Sequence, residues 1–332
     1  MINLLNRLID FETLGKSEAK EVLLHMGSGG FNSAQMAAVL TVFMMRAITV
    51  EELEGFRDAM LELCLAVDLD GVPAMDVCGT GGDGRDTFNI STTSAFVIAG
   101  AGQPVAKHGN YGVSTICGSS TVMEFLGLQF SNDVGTLRKQ LDKANICFLH
   151  APLFHPAMKL VGPIRKELGM KTFFNMLGPM VNPSKPGLQM VGVFNLELAR
   201  LYGYLYQQKK DFQFTIVHDL GGYDEISLTG SVKLINTQGE TMQSPSDLGF
   251  ETVVESDITG GKTVAVSAKT LTDVLQGRGE EAKTNVVLAN AAMALQTANP
   301  SLAKNDAIAR AKESIDSGKA WKSFETLLNL KN

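Results

Sequence analysis

The hydrophobic pattern changes character once along the chain, near Pro73. Before it, apolar residues recur at helical spacing and no run has strand texture. Residues 3–9 form a short amphipathic stretch. Ser17 predicts the start of a helix reaching about Met26, stopped by Gly27, Gly29 and Gly30. Asn32 with Gln35, and Thr49 with Glu52, have the spacing of capping boxes. The first opens the very apolar stretch 36–45, the second a helix to about Val67. Residues 1–70 are therefore expected to be an all-helical unit of about four helices.

After Pro73, short apolar runs appear: AMDVC at 74–78, PVAKHG at 104–109, ICFLH at 146–150, QMVGVF at 189–194 and QFTIVH at 213–218. Helical patterns over 93–101, 119–126, 133–145 and 196–207 lie between them. This alternation predicts a mostly parallel sheet covered by helices, an α/β domain over 71–332. Between 226 and 267 the turns thicken, and EISLTG, VKLINTQGE and KTVAVS predict an antiparallel excursion. From about Glu280 the pattern is helical again, most clearly at 285–295 and 306–317. LGMKTFFNMLGPMVNP at 168–183 mixes prolines and glycines with large apolar residues and reads as a buried crossover loop.

The 332 residues suit one large domain and one smaller one. With 29 Lys+Arg against 35 Asp+Glu, the net charge is −6 and no run of like charge stands out, which weighs against a nucleic-acid binder. Cys64, Cys78, Cys117 and Cys147 are widely spaced, with neither a zinc pattern nor a disulfide framework, and read as buried thiols in a reducing compartment. The N-terminal pattern is not that of a signal peptide, and no apolar run approaches the roughly 18–20 residues of a membrane span. A cytoplasmic location is expected.

Candidate chemistry concentrates at strand ends. GTGGDGRDTFNIST, 79–92, leads from a strand into a helix through Gly79, Gly81, Gly82 and Gly84. Such glycines let backbone N–H groups approach an anion, and a helix N-terminus with hydroxyls at Ser91 and Thr92 adds donors. It lacks the GK[ST] of a Walker loop and the ribose-binding acid of a dinucleotide fingerprint. KHGN at 107–110 ends the next strand and offers Lys107 as a point charge on a second wall, with Ser114 and Ser119 nearby. Asp224–Glu225 supplies hard oxygen ligands of the kind magnesium takes, although an extended backbone would point the two to opposite faces. His150, His155 and His218 follow or end strands and could line the crevice, without metal spacing. No nucleophile elbow is present.

These residues resemble the anthranilate phosphoribosyltransferase family. The glycine segment, KHGN, Gly118–Ser119, Arg165 with the NMLGPMVNP run, and YDEIS occur in the family's order over essentially the whole chain. The resemblance implies a small N-terminal α-helical domain, joined by part of 165–185, beside a large α/β domain of nucleoside phosphorylase/phosphoribosyltransferase type. It implies transfer of the phosphoribosyl group of 5-phosphoribosyl 1-diphosphate to anthranilate in tryptophan biosynthesis, by a homodimer using two Mg²⁺ ions per monomer.

By the same resemblance, Gly79, Gly82, Asp83, Thr87 and Asn89 would contact the phosphoribosyl diphosphate, as would Ile90, Ser91 and Thr92. From the second loop the implied contacts are Lys107, His108, Gly109, Asn110, Ser114, Thr115 and Ser119. Anthranilate would meet Gly79, Asn110 and Arg165, and the metal would be held by Ser91, Asp224 and Glu225. No acid–base residue is assigned. The chain departs from the family at Tyr111, Gly112, Ile116 and Thr121, where many members carry arginine, lysine or aspartate. The alternatives are a pyrimidine nucleoside phosphorylase, a phosphoribosyltransferase for another aromatic amine, and a paralogue that binds RNA or phosphate without turnover.

Overall fold

The computed structural model describes residues 2–112 and 117–330. The chain divides into two compact units, one of residues 1–67 with 151–185, the other of 68–150 with 186–332. The helical unit thus takes in the whole stretch from Ala151, where the sequence indicated only part of 165–185.

In the helical unit, α1 (Ile2–Ile9), α2 (Lys16–Gly27), α3 (Ser33–Met45) and α4 (Val50–Leu63) follow the hydrophobic pattern. Both expected capping boxes form, Asn32 with Gln35 and Thr49 with Glu52. Ser17 is not a cap: α2 begins at Lys16, after Gly15. α4 stops at Leu63, short of Val67. Glu52 does more than cap. Its buried carboxylate also accepts Leu14 N–H at 2.8 Å and pairs with Arg46 at 2.5 Å, tying the chain before α2 to α4. The later segment completes the core, where Phe173 stacks on Phe56 at 4.4 Å and meets Phe43 edge-on at 5.4 Å. The expected crossover loop is two short turns of helix, Phe174–Leu177 and Gly178–Val181.

The α/β unit is built on a sheet of β1 (Met75–Gly79), β2 (Val105–Gly109), β3 (Ile146–His150), β4 (Leu188–Gly192), β5 (Gln213–Asp219), β6 (Val232–Asn236) and β7 (Gly239–Gln243). The order is β3-β2-β1-β4-β5-β6-β7, parallel through β5 and antiparallel beyond. β2 and β3 are buried at every position, as strands covered on both faces must be. Of the expected excursion only VKLINTQGE forms strands. EISLTG is irregular, and KTVAVS opens the helix Val264–Leu275, because Thr263 accepts Val266 N–H as an N-cap. Among the described residues no helix is long and apolar enough to cross a membrane. The cysteines are free: Cys147 is buried, and Cys64, Cys78 and Cys117 are only half-buried, against the expectation of four buried thiols.

Candidate active site

The strand order reverses between β1 and β4, and in open α/β sheets ligands bind outside the carboxyl ends of the strands at such a point. Gly79 ends β1 directly opposite Gly192, which ends β4. Across both lies Asp224. A Cβ on Gly192 would overlap the Asp224 backbone carbonyl, and one on Gly79 would overlap its carboxylate. Two glycines in register thus make the floor on which the acid rests.

The turn that carries the acids is built by polar groups buried beneath it. Asp219, at the end of β5, accepts Gly221 N–H at 2.7 Å and the Ser227 hydroxyl at 2.6 Å. Asn290, in the helix Glu281–Ala298, accepts Ile226 N–H at 3.2 Å and donates to Ile226 O at 2.8 Å. These clamps bend the chain at 224–225, so the two carboxylates need not face apart. Asp224 Oδ2 accepts Gly81 N–H at 2.6 Å, and Glu225 Oε1 accepts Ser91 N–H at 2.8 Å. Glu225 thereby serves the N-terminus of α5 (Ile90–Gly100), since Asn89 makes no side-chain cap there and donates instead to Cys117 O at 2.8 Å. Asp219 and Asn290 escaped the sequence reading. Their one signal is polarity inside otherwise apolar stretches.

The glycine loop turns through Gly81, Gly82 and Gly84, all at positive φ. Arg85 pins its far end, donating to Gly221 O, pairing with Glu255 at 2.6 Å and lying over the Tyr223 ring. The acids crowd one another. Burial, then Asp83, pushes Asp224 up to about 7. Burial, then Asp224, pushes Glu225 well above the usual carboxylate range. Burial raises Asp83 as well. Burial and crowding disfavour the charged forms of these acids, and their oxygens are the hard ligands a magnesium ion takes. Among the described residues no three His, Cys, Asp or Glu side chains group closely enough to hold a metal ion by themselves.

Lys107 is 2 % exposed on β2; its ammonium donates to Val77 O at 2.6 Å and to Ser91 Oγ at 3.4 Å. His108 and Gly109 are buried at the end of the same strand, and Asn110 is exposed. The backbone carbonyl of Asn110 accepts the Ser119 hydroxyl at 3.1 Å, at the head of the short helix α6 (Ser119–Phe125). Ser114, Thr115 and the departure at Ile116 lie outside the described residues. Tyr111 donates to Glu124 at 3.4 Å and meets His150 edge-on. Thr87 forms a bridge with Thr259, and the side chains of Ile90 and Thr92 are buried.

All three histidines are buried. His150 is bonded to the Ser120 hydroxyl at 2.8 Å, and His218 to Val193 O at 2.9 Å. His155 is buried in the helical unit. Arg165 also belongs to that unit, on the helix Met158–Leu168. Its Nη2 donates to Asn175 Oδ1 at 3.0 Å, while its Nε is buried with no hydrogen-bond partner among the described residues. Burial alone lowers its pKa. A half-buried guanidinium with an unused donor is suited to a planar carboxylate.

Comparison with known proteins matches both units of the chain. The profile "Glycosyl transferase family, a/b domain" matches residues 71–321, and "Glycosyl transferase family, helical bundle domain" matches residues 2–64. The anthranilate phosphoribosyltransferase of Christiangramia forsetii is 59% identical over 330 residues, 99% of either chain. Among solved structures, the Thermus thermophilus anthranilate phosphoribosyltransferase superposes with a TM-score of 0.88 at 29% identity, covering 98% of each chain. The Saccharomyces cerevisiae enzyme in complex with PRPP and Mg superposes with a TM-score of 0.92 at 27% identity, covering 99% of this chain and 96% of that one. Matched end to end by a relative with more than half its residues identical, the chain belongs to the anthranilate phosphoribosyltransferase family.

Proposed function

We propose that this protein transfers the phosphoribosyl group of 5-phosphoribosyl 1-diphosphate to anthranilate, giving N-(5-phosphoribosyl)anthranilate and pyrophosphate, a step of tryptophan biosynthesis. The observation that carries this reading is the convergence of Asp224 and Glu225 on the glycine loop and the head of α5, at the switch point of the sheet.

In the reaction the anthranilate nitrogen forms a bond to the anomeric carbon as the bond from that carbon to the diphosphate oxygen breaks. Charge gathers on the departing diphosphate. The Lys107 ammonium and the positive end of the α5 dipole face that charge, while Gly81 N–H and Ser91 N–H are given to Asp224 and Glu225. Asp224, Glu225 and Ser91 would hold magnesium, which when bound neutralises phosphate charge. Two ions per monomer is our reading, resting on the family resemblance and on two adjacent carboxylates at the site. The attacking aromatic amine is neutral near pH 7, needs no strong base, and gives one N–H proton to water as the product forms. Catalysis is then positioning plus stabilisation of the leaving group. Gly79, Asn110 and Arg165 are assigned to anthranilate, with Arg165 on its carboxylate. A homodimer is supported by Ile2, Ile9, Phe11 and Met45, all exposed on the helical unit.

The test is Asp224→Asn combined with Glu225→Gln. The variant should fold, bind anthranilate and lose most turnover, by about 10²-fold or more. Near-normal turnover with Mg²⁺ would remove the metal assignment. Phosphorolysis of pyrimidine nucleosides, the nearest rival, needs no such acid pair, and an assay with inorganic phosphate separates the two.

A further inference from the structure

β1 and β2 lie side by side, but they share only one registered pair. Met75 stands in register with Val105, and Met75 N–H donates to Pro104 O at 2.8 Å. Beyond that no residue of β1 is in register with β2. On their outer flanks both strands stay paired, β1 to β4 as far as Gly79 and β2 to β3 as far as Gly109. The ladder therefore breaks after its first rung while the two strands stay adjacent. The break withdraws the backbone partners that His108 N–H and Val77 O would have had inside the core, and such groups must be paired. Two side chains of opposite charge take them. Asp76 Oδ1 accepts His108 N–H at 3.1 Å, and Lys107 Nζ donates to Val77 O at 2.6 Å.

Asp76 is fully buried and Lys107 is 2 % exposed. The carboxylate is held in turn: Gln189 Nε2 donates to Asp76 Oδ2 at 3.3 Å, and the Tyr206 hydroxyl donates to Gln189 Oε1 at 2.6 Å. A closed ladder would make both charges unnecessary, and a buried charge without a counterpart is costly. Asp76 and Lys107 thus take the two ends of one missing rung.

We propose that Asp76, which is not among the expected substrate contacts, is a positioning residue for the phosphate site. By standing in for one end of a missing rung it fixes the backbone at His108, and so holds the neighbouring Lys107 with its ammonium 3.4 Å from Ser91 Oγ at the head of α5. The inference rests on Lys107 being a contact for the phosphoribosyl diphosphate.

Calorimetric titration with 5-phosphoribosyl 1-diphosphate and Mg²⁺ of the wild type, Asp76→Asn, Lys107→Met and the double variant tests it. Lys107→Met should weaken binding about tenfold or more, and Asp76→Asn about fivefold, as expected for hydrogen bonds to charged groups. Because Asp76 acts through Lys107, the double variant should bind no more weakly than Lys107→Met alone. The KM for anthranilate should not change in Asp76→Asn. Losses that multiply in the double variant, or wild-type affinity in Asp76→Asn, overturn the positioning role while leaving the phosphate site standing. Wild-type affinity in Lys107→Met overturns both. A residue that merely stabilises the fold would lower the binding stoichiometry through unfolded protein, not the affinity of the folded fraction. Should Asp76→Asn fail to fold, Gln189→Met removes one of the donors to Asp76 Oδ2, the Cys78 thiol being another, and the same cycle applies with a loss of about threefold.

Discussion

At Gly192 a single methyl group would meet the backbone carbonyl of Asp224, which no rotamer change can move away. At Gly79 it would meet the carboxylate of the same residue, which can swing if it gives up Gly81 N–H. The two alanine substitutions should therefore differ. Gly192→Ala is expected to cost roughly 2–3 kcal/mol of stability in urea denaturation, the scale of overpacking in a rigid place. Gly79→Ala should unfold closer to the wild type and show its damage in magnesium-dependent turnover. At Arg165 the unused Nε and the absence of any pKa-raising acid among the described residues point to a charge held for a ligand. Arg165→Ala should raise the KM for anthranilate about tenfold or more, leave the KM for the diphosphate substrate near normal, and not lower the thermal midpoint. An effect confined to the diphosphate substrate would overturn that role. The sequence exposed Gly79, Arg165 and the acid pair as chemistry. It could not expose Gly192, Asp219, Asn290 or Asp76, because their work depends on what the fold lays over them.

Elements whose causes are local were legible. The boxes Asn32/Gln35 and Thr49/Glu52 start α3 and α4 because donor and acceptor lie three residues apart. α5 resisted the same reasoning: Asn89 has the right chemistry, but the acceptor at Ser91 N–H comes from Glu225, more than a hundred residues away. KTVAVS failed for another reason. Valine at alternate positions suits a strand, and one hydrogen bond to Thr263 turns it into the first turn of a helix. In the segment Ala151–Lys185, His155 gives the helical unit a pH dependence. Burial lowers its pKa from 6.5 to about 4, against a smaller opposing contribution from the Val181 backbone. Below pH 6.5 the unfolded chain binds a proton that the folded one refuses, so stability falls from pH 6.5 toward 4 and is level above. Between pH 7 and pH 5 this group should account for about 2 kcal/mol. Thermal denaturation of wild type and His155→Gln at those two pH values checks it. The variant should lose less on acidification, and an equal loss would refute the assignment.

For the molecule as a whole, the class of each half was legible, since helical spacing before Pro73 and strand–helix alternation after it are properties of long stretches. Membership was harder. Nothing local assigns Ala151–Lys185 to the helical unit, because what places it there is Phe173 against Phe56, Leu65 N–H on Phe154 O at 2.8 Å and Val67 N–H on Pro183 O at 3.1 Å. That interleaving governs the order of events during synthesis. The ribosome must release residue 185 before the helices of the first 67 residues can close their core, and the first three strands likewise wait for β4 and β5. Folding of both units is thus coupled to long sequence separations and should be slow for a chain so rich in helix. A fragment of residues 1–67 is expected to unfold without a cooperative transition by circular dichroism. Supplying 151–185 as a separate peptide should restore one.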